Sequence, residues 1–271
     1  MPRVIRVFPR RTNMTPKDSL AFVGDPPLFH PEADAVHISI SFTWDIEGAN
    51  RLHKAWSQYY KEVKIGGPAL ASPANGFHPG LYVKPGVTFT SRGCNNHCPW
   101  CLVPKREGKL RAIKIIPGNI IQDNNLLQCN HRHIERVFEM LRSQRHIQLS
   151  GGLEPRLITG EIAEQIRGLH IGQIFLACDV KYAIGSLRRA VKRLQMPRNK
   201  VRCYVLIAFN GETISEATER LEEVYMAGTL PFAQLYQPPN NYIKYSHEWR
   251  SLARTWSRPA AMKAVMEGIN A

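Results

Sequence analysis

The sequence contains few of the features that mark secreted, membrane-spanning or fibrous proteins. Its six cysteines in 271 residues are too few, and too unevenly placed, for a disulfide framework. The only long uncharged window, residues 65–83, contains three prolines and four glycines, which a spanning helix would not tolerate. The first residues, MPRVIRVFPRR, carry positive charge without an apolar run, so we expect no secretory signal. No internal repeat is visible, and we expect a cytoplasmic protein that meets no membrane.

The composition is that of a folded globule with a basic surface. Hydrophobic residues make up 44% of the chain, and 36 Lys and Arg against 22 Asp and Glu give a net charge of +14. Such an excess attracts polyanions, so nucleic acid is one expected partner. A solvated basic helix on a basic protein remains an equal alternative. The cations are concentrated in one region: Arg188, Arg189, Lys192, Arg193, Arg198, Lys200 and Arg202.

The amino-terminal third, residues 1–86, reads as an irregular arm followed by a small β-α-β unit. Residues 1–29 show no clear period. A strand is predicted over 35–43 from its β-branched and aromatic content, followed by a helix over 49–60 with Asp45 as its N-cap, and a second strand over 62–65. The Gly- and Pro-rich stretch 66–86 predicts a domain boundary.

Strand and helix patterns then alternate over residues 87–240, which predicts a parallel sheet. Six such units predict an α/β fold, a partial (β/α)6 TIM-like barrel with a small amino-terminal αβ extension. The tail, 241–271, is predicted to close the barrel as a helix. The predicted strands are 87–91, 119–123, 146–149, 173–177, 201–209 and 231–236, and the predicted helices are 131–143, 160–168, 183–194 and 214–227.

Three thiols crowd the loop after the first of these strands, at Cys94, Cys98 and Cys101. Thiolates at this density hold either an iron–sulfur cluster or zinc. Zinc would need a fourth ligand, which His97 or Cys129 could supply. A Cys-x-x-Cys redox dithiol fits poorly because of Cys94 and the large alternating pattern downstream.

The spacing Cys94-x-x-x-Cys98-x-x-Cys101 resembles the signature of the radical S-adenosylmethionine (radical SAM) superfamily. The resemblance implies that the three cysteines bind three irons of a [4Fe-4S] cluster. The fourth iron would then chelate S-adenosylmethionine, and an external electron donor would reduce the cluster. Trp100 stands where the family places an aromatic residue against the adenine, with a core tryptophan as the alternative.

Residues at the later strand ends extend this resemblance. Asp123 and Asn124 are expected to bind the ammonium of the cofactor, and Asp123 is preferred. Gly151, Gly152 and Glu154 resemble a Gly-Gly-Glu motif with Leu153 inserted, so Glu154 is the other candidate for the ammonium. The remaining expectations are ribose binding by Asp179, adenine packing at Ala208, where a glycine is common, and substrate contact by Arg156 and Tyr236.

The amino-terminal unit resembles a truncated form of the domain that precedes the barrel in cobalamin-binding radical SAM enzymes or in methylthiotransferases. It lacks an Asp-x-His-x-x-Gly motif for cobalt, and His37 is expected to be structural, so cobalamin is left open rather than predicted. Three functions follow: a radical SAM enzyme acting on nucleic acid, the same chemistry on a peptide or small metabolite, or a zinc-bound nucleic-acid-binding protein without catalysis. The sequence leaves the reaction outcome and the oligomeric state undetermined.

Overall fold

The computed structural model describes residues 2–70, 77, 80–239 and 241–269, and the chain divides into two units. The first unit is Met1–Val87 with Leu102–Gly108, and the second is Thr88–Cys101 with Lys109–Ala271. Both units are α/β structures built on parallel sheets. None of the helices in the described ranges has the length and apolar character needed to cross a membrane.

The first unit is a four-stranded parallel sheet in the order β2-β1-β3-β4. Its core consists of apolar residues from the two central strands and one face of helix α1, among them Ile5, Ile38 and Trp56, all fully buried. The elements are β1 (Val4–Phe8), β2 (Ala21–Val23), β3 (Ala35–Ser39), α1 (Ile46–Trp56), β4 (Val63–Gly66) and the short α2 (Val103–Glu107).

The predicted β-α-β unit is present as β3, α1 and β4, but the expected irregular arm is wrong. Strands β1 and β2 lie within residues 1–29, and β1 is central in the sheet. Its five residues have an ordinary alternation, VIRVF, but they stand among the arginines and prolines of the first residues, which masked the strand pattern. Asp45 precedes α1 but makes no side-chain cap, because its buried carboxylate accepts hydrogen bonds from Arg10 instead.

The second unit contains a six-stranded sheet in the order β12-β11-β10-β9-β8-β5. Adjacent strands in this sheet therefore follow one another along the chain. A separate hairpin, β6 with β7, is antiparallel. The strands are β5 (Val87–Thr88), β6 (Ser91–Arg92), β7 (Arg111–Ala112), β8 (Ile120–Ile121), β9 (Ile147–Leu153), β10 (Ile171–Ala177), β11 (Val201–Ile207) and β12 (Leu230–Leu235). The helices are α3 (His131–Arg142), α4 (Gly160–Arg167), α5 (Ile184–Leu194), α6 (Ile214–Met226), α7 (His247–Thr255) and α8 (Pro259–Ile269).

Helices α3 to α6 bury one apolar stripe each against the sheet. In α3 the buried side chains include Ile134, Val137, Phe138 and Leu141, which is the spacing of a single helical face. Two expectations are corrected in this unit. The first predicted strand, 87–91, is divided between β5 and β6, and the single closing helix of the tail is two helices, α7 and α8.

Strands β8 to β12 are mutually parallel, so their carboxyl ends lie along one edge of the sheet. The outermost strands are β5 and β12, and within the described residues the sheet does not close into a barrel. Polar side chains that follow these strands are thereby brought to one edge, which is where α/β sheets bind ligands.

Candidate functional site

The three clustered cysteines lie on the loop that follows β6, within the second unit. Cys94, Cys98 and Cys101 form no disulfides, and all three residues are intermediate in exposure. A turn joins the last two, since the amide of Cys101 donates to the carbonyl of Cys98 at 3.0 Å. The loop is therefore ordered by its own backbone and carries its thiols part-exposed.

Glu154, just past β9, is the centre of a polar network that includes this loop. Its Oε2 accepts from Asn125 Nδ2 at 2.9 Å, Asn96 Nδ2 at 3.1 Å and Gln128 Nε2 at 3.3 Å. Arg156 Nε donates to the other oxygen. Burial acts to raise the pKa of Glu154, but the hydrogen bonds from Asn125, Arg156 and Asn96 outweigh it and hold the pKa below its usual value. Glu154 is thus ionised beside the cysteine loop.

Cys94 belongs to the same network. Its Sγ accepts from the Asn96 amide at 3.4 Å and from Asn125 Nδ2 at 3.6 Å. N–H donors of this kind stabilise a thiolate and tune the potential of a cluster bound to it. Asn125 Oδ1 is buried and has no hydrogen-bond partner in the described structure. An unsatisfied acceptor therefore stands next to a carboxylate and a thiol.

Strand β9 reaches this network through an irregular segment. Its register with β10 advances four residues, from Leu149 to Leu153, while β10 advances two, from Ile174 to Leu176. Such bulges commonly occur next to active sites and re-aim a side chain. Gly151 is required there because a Cβ would come within 1.8 Å of the Asp123 carbonyl oxygen, and Gly152 has a φ of +87°. The two glycines shape the backbone that carries Glu154.

Asp123 is less accessible than Glu154, which is intermediate in exposure. It is buried, and its carboxylate accepts from the Thr90 amide at 2.6 Å, Thr90 Oγ1 at 2.5 Å and Ser91 Oγ at 2.8 Å. Every one of these donors belongs to the segment that leads into the cysteine loop. The geometry therefore assigns Asp123 to holding that segment, and favours Glu154 over it as the carboxylate that a ligand could reach.

Asn124 and Arg156 occupy different positions around the loop. Asn124 Oδ1 accepts a hydrogen bond from the Gly93 backbone amide at 3.0 Å, so the Asn124 side chain fixes the backbone one residue before Cys94. Arg156 is exposed, and its Nη2 donates to Asn96 Oδ1 at 3.1 Å. The Glu154 carboxylate, through its hydrogen bond and its charge, raises the pKa of Arg156 further. Arg156 is the cation at the rim of this network.

A second group of predicted residues lies at the ends of β10, β11 and β12. Trp100 is hydrogen-bonded to Asp179 and packs edge-on against Phe209, with ring centroids 5.5 Å apart. Phe209 in turn packs edge-on against Tyr236 at 4.8 Å. Burial raises the pKa of Asp179, while the Leu206 amide, Arg220 and Trp100 act in the opposite direction. Trp100, Phe209 and Tyr236 thus form one aromatic cluster, and Asp179 is hydrogen-bonded to its Trp100.

Ala208 borders this cluster in a conformation that favours glycine. Its φ is +63°, and its amide donates to Glu212 Oε2 at 2.8 Å. Glu212 is also bound by Arg220, a buried guanidinium that donates to the Leu206 carbonyl at 2.8 Å. This ionic contact fixes the turn after β11. Ala208 thus belongs to the turn after β11, and its expected packing against adenine stays a prediction.

The donor set fits an iron–sulfur cluster in kind. It consists of three thiols outside disulfides within eight residues, and amide groups donate hydrogen bonds to one of them, Cys94. Burial, followed by the charges of Cys101, Asp179, Cys94 and Glu154, raises the pKa of the Cys98 thiol. Bound metal would reverse this by stabilising the thiolate. In the described part of the chain, however, no three His, Cys, Asp or Glu side chains form a group that could hold a metal ion, and this includes Cys94, Cys98 and Cys101.

Comparison with known proteins adds no assignment. A scan against protein-family models finds no match to this chain, and a search of curated proteins finds none either.

Sequence reasoning missed two residues that the structure brings to the site, Asn96 and Gln128. Asn96 lies between the first two cysteines, and an amide inside a metal-binding loop is a signal that could have identified it. Gln128 lies in a 3-10 turn, and its contacts with Asn95, Asn96 and Glu154 depend on the tertiary structure. Cys129, considered as a fourth ligand, has its thiol pKa raised by burial and is hydrogen-bonded to Ser91.

Proposed function

We propose that this protein is a radical SAM enzyme whose second unit is a partial (β/α)6 barrel. The observation that carries the proposal is the contact between the cysteine loop and Glu154 at the carboxyl edge of a parallel sheet. Active sites of barrel enzymes gather at this edge. Cys94, Cys98 and Cys101 would hold a [4Fe-4S] cluster and leave one iron free for S-adenosylmethionine.

The chain's own residues divide the binding of the cofactor between two groups. Glu154 and the unsatisfied Asn125 Oδ1 are acceptors that suit an ammonium group beside the cluster. Trp100, with Asp179 and Ala208, offers an aromatic face and hydrogen-bonding groups for the nucleoside end. Arg156 and Tyr236 remain available to orient a substrate.

When bound and reduced by an external donor, the cluster supplies the electron that cleaves the sulfonium of S-adenosylmethionine to methionine and a 5′-deoxyadenosyl radical. The protein's part is to hold the sulfonium near the thiol loop and to position the hydrogen that will be abstracted. A thiolate-bound cluster needs reduced cysteines, and we therefore also propose a reducing, cytoplasmic compartment for this chain.

The first test is chemical and needs no substrate. Reconstituted, reduced protein incubated anaerobically with S-adenosylmethionine is expected to release 5′-deoxyadenosine, measured by chromatography. Cys98→Ser should abolish release because the cluster loses a ligand. Cys129→Ser is the matched control, since this thiol is also half-buried but lies outside the loop, and it should retain most of the activity.

Failure of the wild-type protein to form 5′-deoxyadenosine while carrying a full cluster would contradict the proposal. A colourless protein with one bound zinc would instead support the third function considered from the sequence, a nucleic-acid-binding protein without catalysis. The peptide or metabolite alternative would be favoured if substrate binding scarcely changed with salt.

A further inference from the structure

The first unit contains a crevice at the point where its sheet changes direction. After β1 the chain adds β2 on one side, and it then returns to add β3 on the other side. The loop after β1 and the loop after β3 therefore run in opposite directions, and a crevice opens between them. In open parallel sheets, ligands bind in the crevice outside the carboxyl ends of the strands at such a point.

A cavity of about 50 Å³ lies in this position. Arg10 follows β1, and Ser39, Ser41 and Asp45 come from the end of β3 and the loop after it. Ser39 and Asp45 are buried, and Asp45 Oδ1 accepts from Arg10 Nε at 2.9 Å. Arg10 thus neutralises the carboxylate, and the cavity presents hydroxyl and carboxylate groups without net charge. That chemistry suits the hydroxyl groups of a sugar better than a phosphate.

The cavity is too small for a whole nucleotide, since one water molecule in the liquid already occupies about 30 Å³. An aromatic platform lies at its rim. Phe42 lines the cavity and stacks on Trp44, with centroids 4.7 Å apart and planes at 11°. Phe42 is 36% exposed and Trp44 is 40% exposed. Exposed stacked aromatics of this kind bind nucleobases in single-stranded nucleic acids.

Two cations follow Arg10 in the segment that connects β1 to β2. Arg11 and Lys17 are exposed on the segment between β1 and β2. Tyr82 closes one wall, and its hydroxyl is 2.7 Å from His37 Nδ1, so it is already hydrogen-bonded within the protein. The groups that a ligand can reach are thus a small cavity with hydroxyl and carboxylate groups, large enough for the hydroxyls of a sugar but not for its ring, a pair of stacked aromatic rings, and surface cations.

We propose that the first unit binds one ribonucleotide of a single-stranded RNA, with the sugar hydroxyls in the crevice and the base on Phe42 and Trp44. Ser39 and Asp45 would contact the 2′-hydroxyl, the group that distinguishes RNA from DNA. This inference goes beyond the proposed radical chemistry, since it needs neither the cluster nor the second unit's site.

The test measures binding of a short labelled single-stranded RNA of mixed sequence to the full chain by fluorescence anisotropy. No iron, sulfide or S-adenosylmethionine is added. Phe42→Ala and Trp44→Ala are each expected to weaken binding about tenfold or more, because each removes part of the stacking surface. Circular dichroism confirms that the variants remain folded.

Tyr59→Ala is the matched control. Tyr59 is 54% exposed and stacks on His30, but it follows α1 and therefore lies at the opposite edge of the parallel sheet. Its loss should leave the affinity unchanged. Equal weakening by Tyr59→Ala, or no weakening by either platform variant, would overturn the proposal.

Two further comparisons test the sugar and the length of the ligand. DNA of the same sequence should bind about tenfold more weakly, since the buried polar groups would lose a partner. Ser39→Ala should weaken RNA binding and leave DNA binding unchanged. Equal affinity for RNA and DNA would overturn the sugar assignment, and equal affinity for a free ribonucleoside monophosphate would overturn the assignment of a strand.

The outcome is independent of the test of radical chemistry. RNA binding without 5′-deoxyadenosine formation would remove the proposed function and leave this inference standing. Formation of 5′-deoxyadenosine without RNA binding by the first unit would remove this inference and leave the proposed function standing.

Discussion

Two carboxylates near the cysteine loop differ in what surrounds them. Asp123 is buried and meets three donors from Thr90 and Ser91, whereas Glu154 lies among side-chain amides that also contact the loop. Both follow strands at the same edge, so their positions in sequence do not distinguish them. The partners do, because a carboxylate already satisfied by protein donors has little left to offer a ligand.

Asp123→Ala is therefore expected to destabilise the fold. It leaves the Thr90 amide and two hydroxyls without their acceptor in a buried place, at a cost of about 3 kcal/mol or more in the free energy of unfolding. Urea unfolding monitored by circular dichroism measures this loss. Asp25→Ala, which removes an exposed partner of Arg51, is the control, and it should cost about 1 kcal/mol or less.

An Asp123→Ala protein as stable as the wild type would show that the carboxylate is not a structural acceptor. Asp123 would then return as a candidate for the cofactor's ammonium.

The residue types that carry chemistry could be predicted from the sequence, but their partners could not. The cysteine spacing is local, and Glu154 follows a recognisable Gly-Gly pair. Gln128 and Asn125 reach the site only because β8 and β9 are neighbours, and a single sequence does not reveal that pairing. The sequence favours Asp123 over Glu154 because Leu153 interrupts the Gly-Gly-Glu resemblance and the motif falls on the third predicted strand; a strand pattern does not show what either carboxylate contacts.

Among the structural elements, β9 shows most clearly how a local irregularity positions a site residue. The predicted strand ended at residue 149, whereas the observed one continues through Ser150, Gly151 and Gly152 to Leu153. The Gly-Gly pair suggested a loop because glycine usually ends strands. Here it forms a bulge, which a sequence pattern cannot distinguish from a strand end. Helices α3 to α6 were predicted well, because each repeats its apolar residues at the spacing of one helical face.

Helices α3 and α4 are linked by a histidine whose pKa is raised above its ordinary value. His131 Nε2 lies 2.8 Å from Glu161 Oε1, and Nδ1 lies 3.5 Å from Glu135 Oε2. The hydrogen bond to Glu161 and the two negative charges raise the pKa of His131. The stability it contributes is fully present below the unfolded value of about 6.5. It is lost as pH rises through the higher pKa of the folded state.

Glu161→Gln is accordingly expected to lower the pKa of His131 toward its ordinary value. The measurement is an NMR titration of the imidazole protons. Glu164→Gln, an exposed substitution on the same helix, should leave the titration unchanged. An unaltered His131 pKa in Glu161→Gln would show that the α3–α4 contact does not form in solution.

At the scale of the whole molecule, the basic run that suggested nucleic-acid binding is largely committed to internal contacts. Lys200 Nζ donates to the Ile171 carbonyl at 2.9 Å, and Arg193 Nη1 donates to the Ile158 carbonyl at 2.6 Å. Arg202 lies over the ring of Phe232, and Arg198 lies over Tyr225. Residues 198–202 also lead into β11, at the sheet edge opposite to the candidate site. Formal charge therefore does not locate a binding surface.

The two-unit α/β architecture could be predicted because alternating strand and helix patterns are long and regular. The first strand, β1, could not, since it has only five residues and a charged side chain, Arg6, stands between its buried residues Ile5 and Val7. The carboxyl-edge placement of Glu154 follows from parallel pairing, whereas the thiols and Trp100 reach this edge through contacts of their loop with Glu154, Asn125 and Phe209. It is this placement on which the proposed function depends.

The most direct measurement is the iron and sulfide content of the anaerobically reconstituted protein, together with its electron paramagnetic resonance spectrum after reduction. About four irons per chain and the signal of a reduced [4Fe-4S] cluster are expected for the wild type. Cys129→Ser should retain both, and serine at position 94, 98 or 101 should remove them. A wild-type protein that binds no iron, or loses it equally in Cys129→Ser, would contradict the account.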